Sequence, residues 1–113
     1  MIYDLEERTA KFGEEIIEFA KTLKLNEFNK PLISQLIRSS TSIGANYMEA
    51  NQSSSKKDFK NKIALCKKEA NETKYWLRIT AKANQDKKEH CRKLWKEAHE
   101  LTLIFAKIFK SCG

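Results

Sequence analysis

The chain has 113 residues, of which 41% are hydrophobic and 33% charged, with three Gly and one Pro. That is enough for one domain over residues 1–113 with its own core, and too few turn formers for a β-rich fold. No apolar run is long enough to span a bilayer or to act as a secretory leader, so no membrane contact is expected.

Cys66, Cys91 and Cys112 are odd in number and lack Cys-x-x-Cys spacing. This fits free thiols in a reducing cytoplasm and excludes a disulfide framework. The formal net charge of +7 is unevenly spread. Residues 1–54 carry six Lys/Arg against eight Asp/Glu, and residues 55–113 carry sixteen against seven. A basic half joined to a slightly acidic half points to a polyanionic partner; the plainer reading is a lysine-rich solvated surface.

The spacing predicts a first helix over about residues 3–25, from Tyr3 to Leu25. Leu5, Phe12, Ile16, Phe19 and Leu23 recur at three- and four-residue steps, with Thr9 filling the gap. Asn29 is an N-cap candidate and Pro31 sits in a first turn, where its missing N–H is harmless. A second helix follows over about 30–52, with Leu32 or Ile33, Leu36, Ser40, Ile43, Tyr47 and Ala50 as its buried stripe. Its middle holds poor helix formers, Ser39, Ser40, Thr41, Ser42 and Gly44, glycine costing about 1 kcal/mol relative to alanine. Small residues at 40 and 44 would let a neighbouring backbone approach closely.

Ser55 and Asp58 have capping-box spacing and open a third helix over about 56–84. Phe59, Ile63, Cys66, Ala70, Thr73, Leu77 and Thr80 alternate steps of four and three along it. A flanking row, Leu65, Glu69, Glu72, Trp76 and Ile79, sets two carboxylates among apolar residues. On the second helix Arg38, Ser42, Asn46 and Glu49 form a polar row. A hairpin turning at Ser53 and Ser54 brings Arg38 opposite Glu69 and Glu72, and an ion pair with one of them is expected. Asp86 and Glu89 are expected to cap a fourth helix over about 87–111, with Cys91, Leu94, Ala98, Leu101, Phe105 and Ile108 inward. Short connections make neighbours antiparallel. The fold class is therefore all-α, an antiparallel up-down-up-down four-helix bundle.

Leu65, Trp76, Ile79, Trp95, Leu103, Ile104 and Phe109 are more apolar surface than one bundle core needs, so self-association is expected. Lys60, Lys67, Lys74 and Arg78 make a cationic row on the third helix, expected to face water; Lys56, Lys57 and Lys82 extend it, and Lys87, Lys88, Arg92, Lys93 and Lys96 begin the fourth helix. Such an array suits the phosphate backbone of RNA or DNA rather than base readout.

The segments "QLIRSSTSIGANYMEAN" and "SKKDFKNKIALCKKEANETKYWLRI" resemble the bacterial four-helix-bundle family named for proteins encoded in intervening sequences of 23S rRNA genes. Arg38, Ser42, Ile43, Asn46 and Glu49, then Glu72, Thr73, Tyr75, Trp76 and Leu77, carry the likeness. Ala50-Asn51 departs from it, since many members have Ala or Glu followed by Gly, and a longer or differently placed C-cap of the second helix is expected. The resemblance implies a small cytoplasmic four-helix bundle assembling as a ring of five. It also implies kinship with the accessory protein of diversity-generating retroelements, which contacts nucleic acid and a polymerase. It implies no enzymatic activity.

Catalytic and metal-binding patterns are sparse. Glu69 and Glu72 lack the Glu-x-x-His partners of a di-iron bundle, and His90 and His99, nine residues apart, point to opposite sides of a helix. No cofactor motif is present. Arg92 and His99 are similar in spacing to the Arg-x6-His of HEPN-superfamily RNases, where such a pair could stabilise a phosphorane and move a proton. Cys66 and Cys91 fall on core stripes, and Cys112 is expected to be exposed. The expected role is non-enzymatic: an oligomeric, nucleic-acid-binding accessory or scaffold. A protein–protein adaptor and a HEPN-like RNase are the alternatives.

Overall fold

The apolar spacing resolves into four helices in a computed structural model that describes residues 4–113: α1 (Leu5–Ala20), α2 (Asn29–Asn51), α3 (Lys56–Ala83) and α4 (Lys88–Ser111). The helix start expected at Tyr3 lies outside the described residues. Chain neighbours pack against each other, α1 on α2, α2 on α3 and α3 on α4, while α1 and α4 meet more loosely. The molecule measures 44 × 20 × 19 Å. Asn51 Nδ2 donates to Glu6 Oε2 at one end, and Asn29 pairs with Asn84 at the other, as an up-down-up-down path requires. Among the described residues no helix is long and apolar enough to cross a membrane.

The core follows the stripes. Phe12, Ile16 and Phe19 from α1 meet Leu36 and Ile43 from α2, Ile63 and Leu77 from α3, and Leu101 and Phe105 from α4, all essentially without solvent contact. The small residues of α2 act on two sides. Gly44 lies against Thr9 of α1, where an added Cβ would meet Thr9 Oγ1 at 3.1 Å; Gly13 of α1 faces Thr41. On the other side Thr73 Oγ1 donates to Ser39 Oγ at 2.9 Å, both fully buried. A central helix squeezed between two neighbours needs short side chains on both flanks, and its helix-poor middle supplies them.

Three local expectations are corrected. The first helix ends at Ala20, not Leu25. Thr22 N–H and Leu23 N–H bond back three residues, to Phe19 O and Ala20 O. Thr22 Oγ1 also donates to Phe19 O, and this tightening ends the helix while Leu23 turns into the core. Asn29 is not the cap of α2. Asn26 Oδ1 accepts from the backbone N–H groups of Phe28 and Asn29, at 3.0 and 2.8 Å, and Asn29 is itself buried. Asp86 and Glu89 do not cap α4: a 3₁₀ turn, Gln85–Lys87, precedes it, and its N-terminus carries no side-chain cap. Ser55 caps α3 as its spacing indicates, accepting from Asp58 N–H at 3.1 Å.

The two inter-helix turns at one end are joined by primary amides. Asn29 Nδ2 donates to Asn84 Oδ1 and Asn84 Nδ2 to Asn29 Oδ1, at 3.0 and 2.8 Å. Asn29 Nδ2 also reaches Lys24 O, and Asn84 Nδ2 reaches Thr80 O. A buried amide with its donors and acceptor engaged avoids the penalty of unpaired polar atoms.

Candidate nucleic-acid interface

Opposed register along the α2–α3 seam brings Arg38 to both Glu69 and Glu72, not to one. Nη1 donates to Glu69 Oε1 at 3.2 Å, Nη2 to Glu72 Oε2, and Nε to Gln35 Oε1 at 2.9 Å. Trp76 Nε1 donates to the same Glu72 oxygen at 3.0 Å. The planar guanidinium can serve three acceptors at once, which an ammonium cannot do with fixed geometry. The rest of the α2 row turns inward on its own helix: Ser42 Oγ donates to Arg38 O, and Asn46 Nδ2 to Ser42 O. Glu49 accepts from Lys62 of α3 at 2.8 Å, and that contact raises the lysine's pKa. Arg38 and Glu49 are thus committed across the seam and Ser42 and Asn46 to their own helix, and the carboxylates of Glu69 and Glu72 face an arginine.

The cationic row of α3 divides in two. Lys60, Lys67 and Lys74 are half-buried rather than in open solvent. Lys60 Nζ donates to Gly113 O at 2.8 Å and lies 4.7 Å from the centre of the Phe109 ring. Lys74 Nζ donates to His99 Nδ1 at 3.1 Å and sits 5.2 Å from the Trp95 ring, which itself stacks on His99. An ammonium has only protons to give, so His99 Nδ1 is the acceptor. The expectation of a uniformly water-facing row is thus corrected, because α4 offers aromatic faces that attract lysine stems and charges.

The exposed cations are Lys56, Lys57 and Lys68 towards the start of α3, and Arg78 and Lys82 towards its end. Beside the latter stand Lys88, Arg92 and Lys96 of α4, while Lys93 turns to the α1 side, in a groove it shares with Glu14, Glu15, Glu18 and Glu97. Among the described residues Arg78, Lys82, Lys88, Lys93 and Lys96 make no ion pair, while Arg92 has a long one, 3.7 Å, with Glu89. The acidic groups of α1 and of the α2–α3 seam lie elsewhere, so one end of the α3–α4 face carries positive charge with little local compensation. Arg92 is exposed and His99 half-buried on the same α4 face.

Cys66 and Cys91 are buried, and burial pushes their thiols up to about 12 and about 11. Neither is a nucleophile at neutral pH. Cys112 is half-buried rather than exposed, its Sγ against Ile108 O at 3.3 Å. A clamp between α1 and α4 escaped the sequence reading: Arg8 Nε and Nη2 donate to Glu97 at 2.8 and 2.9 Å, and Nη2 also to Glu100 at 2.9 Å. Those carboxylates raise the arginine's already high pKa. The antiparallel register of the first and fourth helices was the signal that could have found it.

The chain matches the family model for the 23S rRNA-intervening sequence protein over residues 3–107. No curated protein matches it. It is similar to a crystal structure of a protein of unknown function from the S23 ribosomal protein family of Bacteroides thetaiotaomicron. The two share 34% identity at a TM-score of 0.84, over 93% of this chain and 97% of the other. The Arg38–Glu72–Trp76 seam and the four-helix path described above are thus features of a chain that belongs to the 23S rRNA-intervening sequence protein family.

Proposed function

We propose that this protein is a non-enzymatic, cytoplasmic accessory or scaffold that binds nucleic acid through the cationic end of its α3–α4 face. The observation that carries this reading is the set of exposed cations without partners, Arg78, Lys82, Lys88 and Lys96, on two adjoining helices. Arg8, Arg38 and Lys62, by contrast, each hold a carboxylate. Free cations in one region create a field that draws a polyanion and gains from counterion release. Lys56 and Lys57 lie at the far end of α3 and would add to a longer track, whereas Lys60, Lys67 and Lys74 contribute mainly field.

Self-association belongs to this reading. Leu103 is 56% exposed and Met48 48% exposed, apolar surface that a second copy would cover. A ring of five, as the family resemblance implies, would repeat the cationic face at each subunit and raise avidity. The family's name makes RNA the first polyanion to test. The test is fluorescence anisotropy with labelled RNA and DNA across a salt series. Binding that weakens steeply with salt is expected, log K falling by roughly 0.7 to 0.9 per log unit of salt for each phosphate neutralised. Absence of binding at low salt overturns the proposal. Leu103 also supports a second reading, a protein–protein adaptor, which a partner captured equally well after nuclease treatment would favour. RNA cleavage abolished by His99→Ala would favour an RNase instead.

A further inference from the structure

Between the end of α3 and the start of α4 runs an open groove of about 510 Å3. Its floor is apolar, made by Leu77, Ala81 and Cys91. Trp95 forms one wall and is 38% exposed. His99 stacks on the indole from the C-terminal side, 5.1 Å between ring centres and 13° from parallel, and so fixes its orientation. Of the other α4 residues of the groove, Lys88, Cys91 and Arg92 precede the ring along the helix and Lys96 follows it. The rim is cationic throughout: Arg78 on α3, and Lys88, Arg92 and Lys96 on α4. The three on α4 stand one helical turn apart, about 6 Å along the axis. No carboxylate lines the groove.

We infer that this groove seats an unstacked base of a single-stranded nucleic acid against Trp95, with flanking phosphates on Lys88, Arg92, Lys96 and Arg78. The inference rests on the proposed nucleic-acid function and narrows it from polyanion to single strand. A flat apolar ring flanked by repeating negative charges is the ligand that an apolar trough with an exposed indole and a periodic cationic rim complements. A duplex keeps its bases stacked and offers only phosphates, so the floor would remain empty. Base-on-aromatic stacking tolerates any sequence, consistent with a groove that presents no fixed hydrogen-bonding side chain for base edges.

The experiment titrates the full-length protein with a labelled single-stranded 12-mer of RNA, its DNA counterpart and the corresponding duplex. Anisotropy and tryptophan emission are both read. Single strands should bind more tightly than duplex and quench emission, and the quench should vanish in Trp95→Leu. Trp95→Leu should weaken single-strand binding about tenfold with the salt slope unchanged, and Trp95→Phe should retain most of the affinity. Arg92→Gln with Lys96→Gln should lower the salt slope by roughly 1 to 2. Circular dichroism confirms that each variant is folded, and the emission change in the unaltered protein reports on the groove without any substitution. Single-strand binding indifferent to residue 95, or a duplex preferred with no quench, overturns the inference while leaving the proposed function standing. No binding of any nucleic acid removes both. Loss of assembly mass on Trp95→Leu in light scattering, with nucleic-acid affinity intact, would assign the groove to a second copy and overturn the inference.

Discussion

Arg38 shows how much one side chain can carry when its geometry is matched. Glu69 is 15% exposed at its side chain and Glu72 31%, so removing the guanidinium leaves two carboxylates together in a poorly solvated place. Arg38→Met should therefore destabilise the protein by about 1–3 kcal/mol, a range lowered from that of a deeply buried pair because Arg38 remains partly solvated. Arg38→Lys should recover only part of it, since one ammonium cannot reach Gln35 and both glutamates in the same plane. Adding Glu69→Gln and Glu72→Gln to Arg38→Met should restore much of the loss. Urea midpoints measure all three variants, and a loss below about 0.5 kcal/mol for Arg38→Met would show that the trio is only a surface contact.

Helix spacing between α1 and α2 can be tested with two glycines that look alike in the sequence. In an exposed helix either would gain about 1 kcal/mol on replacement by alanine. At Gly13 the nearest neighbour of a new Cβ is Thr41 Cγ2 at 3.4 Å, an ordinary contact, and Gly13→Ala should raise the melting temperature. At Gly44 the new Cβ meets Thr9 Oγ1 at 3.1 Å and the Thr9 Cβ at 3.4 Å, and that hydroxyl is bonded to Leu5 O. Relief then needs α1 to move as a body, so Gly44→Ala should fall by about 0.5–2 kcal/mol. Gly44→Ala with Thr9→Ala should fall less than the sum of the two, the mark of direct contact.

What the sequence disclosed at this scale follows from the kind of signal. The stripes of α2, α3 and α4 were legible because the core uses one residue every three or four, and Cys66, Ala70, Thr73 and Leu77 are all buried where their spacing put them. Arg38 opposite Glu69 and Glu72 was legible because a tight turn at Ser53 and Ser54 fixes the register of one hairpin. The end of α1 was not, because Leu23 keeps the helical beat although the chain has already left the helix. Lys60 and Lys74 were misjudged because a lysine's position on a helix does not reveal whether its neighbour offers Phe109 or Trp95.

Across the whole molecule the seams differ in strength. α1 docks closely on α2 but only loosely on α4, where the Arg8–Glu97–Glu100 clamp and the Phe19–His90 ring contact close the bundle. Arg8 is partly solvated, so its clamp should matter more for where the bundle opens than for total stability. Arg8→Ala is expected to speed amide hydrogen exchange in α1 and along the facing part of α4, and to leave the α2–α3 hairpin protected. Uniform acceleration in all four helices would mean that the bundle opens only as one unit.

The amide pair between Asn29 and Asn84 bears on a different matter. Apolar stripes repeating every three or four residues are nearly indifferent to sliding by a turn, so grease alone tolerates several vertical alignments of one hairpin on the other. Two primary amides that satisfy each other, and that each also reach a main-chain carbonyl, fit only one alignment. Shifted by a single turn, the buried Asn29 amide would lose its partner away from water, and the pair thereby selects one native arrangement from a family of near-equals.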